Sequence, residues 1–231
     1  MARQRPDDGW ERLMAAALRV YARLGSRLGI RDVAREMGVS PATVYGYVTG
    51  KRALLFWMTC HALTDKAEPP GSLPADAPAR EQADLRIGAL LETTLQAPEL
   101  DAVLREPGPD ARAELERVLE ELYEGTERTA ELVSGVILDV QRDPAGAGAF
   151  FGGFRHRFLD QLRSYIELRV ADGSFAPVPS SEAAAHLVVQ VAAWFARDRQ
   201  GDPEGSRIPA DLARATATRM LARALLSRPP A

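Results

Sequence analysis

The stretch from Ser40 to Leu55 reads SPATVYGYVTGKRALL. It holds hydroxyls at Ser40 and Thr43, phenols at Tyr45 and Tyr47, and an ammonium at Lys51. Hydroxyls and an ammonium donate hydrogen bonds well to anionic oxygens, and Ala42 and the Thr43 methyl add small apolar contacts. Ser40 suits a helix cap, and Pro41 suits the first turn, where a missing N–H costs nothing. A core helix needs a repeating apolar stripe. Here Val44, Tyr45 and Val48 supply only a minimal inner face. The remaining side chains are arranged to meet something polar and flat. A helix of about seven residues is unstable alone, so neighbours must hold it.

Those neighbours are legible as periodicity. Leu13, Ala17, Val20 and Leu24 recur at three- and four-residue steps from about Trp10, and Gly25 stops the run. Ile30, Val33, Ala34 and Met37 share one face of a second helix, with Gly38 at its C-terminal cap position. A fourth helix starts near Lys51 and carries Leu54, Leu55, Met58 and Ala62 inward. Two short helices joined through Gly38 make a helix-turn-helix, whose second member is often set into a major groove. Any three-helix packing also contains a helix, a turn and a helix.

Beyond this head, AEPPGSLPADAP from Ala67 to Pro78 is rich in Pro and Gly and reads as a loop or linker. Further amphipathic helices are predicted at about 80–96, 110–141 (kinked near Gly125), 146–171, 181–199 and 209–226, with a short turn at 98–105. No segment alternates as a strand, and no internal repeat is visible. The expected fold is all-α. A three-helix DNA-binding-type head occupies residues 1–58, and a larger helical body occupies 59–231.

Composition bounds the function. With 231 residues, 46% hydrophobic and 26% charged, the chain is long enough for real cores. No apolar run suits a membrane span, and the N-terminus MARQRPDDGW lacks a secretory apolar region. The single cysteine, Cys60, excludes a disulfide framework and suits a reducing cytoplasm, with Cys60 as a small buried hydrophobe. Net charge is −3, but it is unevenly spread. Residues 1–58 carry ten Arg and Lys against five Asp and Glu, while the remainder carries 19 against 27. A basic head on an acidic body suits a head that meets a polyanion. Only two of the 29 basic residues are lysines, so Lys51 stands out against an arginine-rich background.

The segment GIRDVAREMGVSPATVYGYVTGKRALL resembles the N-terminal domain of the tetracycline-repressor (TetR) family of bacterial transcription regulators. The resemblance rests on the Ala of the second helix, Gly38, a small capping residue, Thr43-x-Tyr45-x-Tyr47, Lys51 and Leu54, and covers roughly residues 10–58. It implies a homodimer on a double-stranded, palindromic DNA operator, with a small-molecule effector in a variable body. It places Tyr47 and Lys51 against phosphates, where a phenol can donate and an ammonium adds charge. Tyr45 either joins them or braces the helix. Ser40, Pro41, Ala42 and Thr43 open the recognition helix, and Ala42 and Thr43 can touch a thymine methyl. Arg31 either grips a guanine or pairs with Asp32 or Glu36. Two residues depart from the family pattern. Leu28 and Gly29 stand where relatives commonly carry a capping, phosphate-touching Thr, a contact that Arg27 can replace. Gly46 stands where relatives carry a bulkier side chain, so DNA shape can carry part of the specificity.

A single short helix contacts few base pairs, so specific binding calls for two copies. EAAAHLVVQVAAWFARDR is apolar on more than one stripe, and PADLARATATRMLARALL carries small residues suited to close packing. Leu187, Val188, Val191, Trp194, Phe195, Leu221 and Leu225 are the expected dimer contacts. Phe150, Phe151 and Phe154 in AFFGGFRHRF either line an apolar cavity or form core, and Trp57, His61 and Tyr123 are open in the same way. His61, His156 and His186 lack close metal-ligand spacing, so no metal or cofactor is expected. A Gly-Lys-Ser phosphate loop, HExxH, CxxC and a nucleophile elbow are all missing from the sequence, so an enzyme is not expected. The expectation is a ligand-released repressor. The alternatives are an activator or weakly specific DNA binder of the same fold, or a helical carrier or enzyme.

Overall fold

The computed structural model describes residues 8–64, 71–94, 96–142 and 144–227, without the side chains of 140 and 144–155. Among the described residues the chain forms eleven α-helices, and its β pairing is limited to two isolated bridges. It divides into two compact units, one of residues 1–94 with 131–149 and one of 95–130 with 150–231. The position 58/59, expected to separate head from body, lies inside a continuous helix from Lys51 to Thr64.

In the first unit, α1 (Gly9–Leu24) buries Leu13, Met14, Ala17 and Val20, the stripe read from the sequence. It packs on α2 (Ile30–Met37) and α4 (Lys51–Thr64), and α2 packs on α3 (Pro41–Tyr45). The start of α2 answers the missing Thr. The Gly29 N–H donates to the Asp32 carboxylate at 2.9 Å, half of a capping box whose other half needs a side chain that glycine lacks. At its end, Gly38 is left-handed (φ +69°), and Val39 N–H returns to the Ala34 carbonyl at 2.9 Å. α5 (Arg80–Thr94) packs on α4.

The single helix expected over 110–141 is two, α7 (Ala111–Arg128) and α8 (Ala130–Arg142). The interruption falls at Thr129 rather than at Gly125. The Thr129 hydroxyl and N–H both donate to the Gly125 carbonyl, at 2.8 and 3.3 Å, and this side-chain bond competes with the helical ladder. From Glu131 onward α8 belongs to the first unit, where Asp139 accepts the Ser26 N–H (2.8 Å), the Ser26 hydroxyl (2.9 Å) and the Tyr21 hydroxyl (3.1 Å). Burial and the Asp139 charge push the Tyr21 phenol above its usual range. Gly135 lies so close to Tyr21 that any Cβ there would overlap its ring and carbonyl.

The second unit contains α6 (Pro98–Arg105), α7, α10 (Ser181–Ala196) and α11 (Ala210–Leu225), together with the later part of α9 (Pro144–Ala171). α7 packs on α6, α10 and α11 around Leu115, Leu119, Ile166 and Val188. α10 ends at Ala196, earlier than the expected 199, and a 3-10 turn over Asp198–Gly201 follows. The core encloses an ion pair. Arg169 grips Glu114 with two bonds, at 2.8 and 2.6 Å, and also reaches Asp172 and the Gly108 carbonyl.

Two tests follow from this packing. Arg169→Met strands the Glu114 carboxylate in the core and should cost about 3–5 kcal/mol of stability, read from denaturant melts. Gly125→Ala meets open space and should gain up to about 1 kcal/mol from helix propensity, whereas Gly135→Ala should destabilise despite the same propensity gain. Equal effects at the two glycines would refute the close approach of α8 to Tyr21.

Candidate nucleic-acid interface

α3 is five residues long, Pro41–Tyr45, and Val44 is its buried residue. Ser40 caps it, accepting the Thr43 N–H at 3.2 Å, and the two hydroxyls lie 2.9 Å apart. Ser40, Pro41, Ala42 and Thr43 are exposed, as is Tyr45 at 51%. The helix is therefore seated by one side chain and presents the others to solvent. Val44 and Val48 are fully buried beneath it.

Tyr47 lies inward. It is only 6% exposed, and its phenol tip fills the space that a Cβ at Gly9 would need. It is a packing residue against the start of α1, because α3 ends at Tyr45 and the chain turns Tyr47 inward. Tyr45 is the phenol that solvent reaches.

Charge in the head is sorted. Glu36 pairs with Arg19 at 2.9 Å and Arg23 at 2.6 Å, and these partners hold its carboxyl below the usual range. Asp32 pairs with Arg35 at 3.2 Å. The acids that could have engaged Arg31 are thus taken. Among the described residues Arg27, Arg31 and Lys51 are exposed and make no side-chain hydrogen bond or ion pair. Unpaired cations flanking a short polar helix can neutralise phosphates, while α3 itself offers base-edge contacts.

Residues 13–57 match the family model for bacterial regulatory proteins of the tetR family. Over these residues the chain is similar to the DNA-binding head of that family. A tetR-family regulatory protein from Rhodococcus RHA1 shares its fold with a TM-score of 0.55 at 16% identity, over 95% of this chain and 97% of that one. A tetR-family regulator from Chloroflexus aurantiacus J-10-FL gives 0.53 at 15% identity, over 97% and 96%. The transcriptional regulator FadR from Bacillus subtilis, solved with stearoyl-CoA, gives 0.50 at 12% identity, over 93% and 98%. None of the curated proteins matches the chain.

The expected body residues divide. Val188, Leu221 and Leu225 lie in the core of the second unit, which takes them out of an outward face; the helical period turns them toward α7. Leu187 (61% exposed) and Trp194 are outward, while Val191 and Phe195 are half-buried. Leu212 and Met220 on α11 are exposed too, and a helical wheel that followed their spacing would have found them. Tyr123 is buried, its hydroxyl donating to the Phe195 carbonyl at 3.1 Å. Trp57 is an aromatic contact of Trp10 and Phe56, and its indole N–H donates to the Asp76 carbonyl at 3.0 Å. His61 is half-buried on α4. The side chains of Phe150, Phe151 and Phe154 lie outside the described residues. An open depression along α5, lined by Arg80, Asp84, Leu85, Gly88 and Glu92, includes none of Trp57, His61 or Tyr123. Among the described residues no group of His, Cys, Asp and Glu could hold a metal, and no helix is long and apolar enough to cross a membrane.

Arg31→Ala should relax preference at one base position, by about 1–3 kcal/mol there, as read from selected DNA sequences. Lys51→Ala should weaken all sequences alike and lower the salt slope by about one unit. A slope equal to wild type would remove Lys51 from the phosphate contacts.

Proposed function

We propose that this protein is a homodimeric repressor, released from a palindromic DNA operator by a small-molecule ligand. The observation that carries the reading is α3, which buries Val44 and turns its other side chains outward, with Arg27, Arg31 and Lys51 around it in sequence unpaired among the described residues. In this reading residues 1–58 bind DNA in the cytoplasm, and residues 59–231 bind the effector and the second copy.

So short a helix reads few base pairs, so two heads are needed at half-sites about one turn apart or a multiple of it. Leu187 and Trp194 on α10, with Leu212 and Met220 on α11, supply apolar surface for the second copy. Effector binding favours the form that does not fit the operator and shifts the population away from DNA. The stearoyl-CoA held by the Bacillus subtilis neighbour supports a small-molecule site in bodies of this fold.

Selection of bound duplexes from random DNA with purified protein should enrich a palindrome. Leu187→Asp combined with Met220→Asp should convert a dimer to a monomer in light scattering and weaken operator binding at least tenfold. A wild-type monomer, or a motif without twofold symmetry, would sink the dimer reading.

A further inference from the structure

The sequence reads Ala67 to Pro78 as a loop or linker, and residues 75–77 of it are fastened to the head. Five hydrogen bonds hold them. Ala75 N–H donates to the Tyr47 carbonyl at 2.7 Å, and Thr49 N–H donates to the Ala75 carbonyl at 2.9 Å, making a parallel bridge between Val48 and Ala75. The Thr49 hydroxyl donates to Asp76 Oδ1 at 2.9 Å. Arg52 donates to the Ala77 carbonyl at 3.0 Å, and the Trp57 indole to the Asp76 carbonyl at 3.0 Å. Ala75 and Ala77 are buried. Asp76 Oδ1 also accepts the Ala77 N–H at 2.8 Å, so one carboxylate oxygen ties the strap to itself and to the head.

The place matters. Gly46 to Gly50 is the whole connection between the end of α3 and Lys51, the first residue of α4. A five-residue helix cannot hold its own orientation, and its exit would otherwise leave the Tyr47 carbonyl and the Thr49 N–H to water.

We propose that Asp76 is a positioning residue for DNA binding: through Thr49 and the Ala75 bridge it fixes the angle at which α3 and the Lys51 turn meet the duplex. The proposal rests on the DNA-binding reading of the head. It extends that head beyond residue 58 to include a strap that follows α4. The carboxylate works as a hydrogen-bond acceptor, so an amide should replace it, and the Thr49 hydroxyl should be worth little once Asp76 is gone.

The experiment uses the full chain and a duplex selected from random DNA. Asp76→Ala should weaken binding about fivefold to tenfold, the scale of one or two lost hydrogen bonds. Asp76→Asn should stay within about twofold of wild type, because the amide oxygen accepts both donors. Thr49→Val with Asp76→Ala should be no weaker than the weaker single variant. Amide exchange in the unbound protein should quicken at Thr49 in Asp76→Ala while Met58, buried in the middle of α4, keeps its protection; loss at both would mark general unfolding and overturn a positioning role. Asp76→Ala binding like wild type, or Asp76→Asn as weak as Asp76→Ala, overturns the proposal. Asp76→Asn binding clearly tighter than wild type would make the carboxylate a repulsive charge and overturn it too. A wild-type protein that enriches no duplex would overturn the DNA-binding reading itself, a result distinct from any of these.

Discussion

The head depends on the burial of Val44 and Val48 beneath a helix too short to stand alone. Five residues cannot repay the cost of nucleating a helix from backbone bonds. The Ser40 cap and Pro41 lower that cost. The apolar floor laid by α1, α2 and α4 supplies the rest, with Leu13, Met14, Val33 and Leu54 fully buried. Because one side chain of α3 is spent on anchoring, the others are free to face outward. Anchoring and presentation are therefore two consequences of the same periodicity.

Electrostatics completes the division. The head carries few acids, and Glu36 and Asp32 are committed to Arg19, Arg23 and Arg35 across α1 and α2. These exposed pairs are worth little each in stability. Their larger effect is to leave Arg27, Arg31 and Lys51 without an ion-pair partner among the described residues, which concentrates positive potential on the head while the chain as a whole is acidic. Asp139 acts differently: its carboxylate is used by α8 to hold Ser26 and Tyr21, fixing the turn that leads from α1 into α2.

In the second unit the organising element is a charge buried among hydrophobes. Arg169 and Glu114 bond α9 to α7, and Arg169 also satisfies the Gly108 carbonyl. Arg214 on α11 pairs with Glu120 and Glu124 on α7 and lies over the Tyr123 ring. Such polar fastening, with apolar contacts between, turns Val188, Leu221 and Leu225 inward and leaves Leu187, Trp194, Leu212 and Met220 outside.

The sequence by itself determined the helices of the head and the caps at Gly38 and Ser40. Those features follow from local rules: three- and four-residue spacing of Leu13, Ala17 and Val20, a left-handed glycine at 38, a serine and proline at 40 and 41. It also determined the charge asymmetry, since that needs only counting. Tertiary structure decided what local rules cannot reach. It turned Tyr47 onto Gly9 and left Tyr45 outside, divided α7 from α8 at Thr129, and sorted α10 into inner and outer faces. It also docked residues 75–77 on the head. Each outcome depends on pairing between residues far apart in the chain. A Pro-rich segment that will dock and one that will not look alike until a partner backbone offers its N–H and C=O groups.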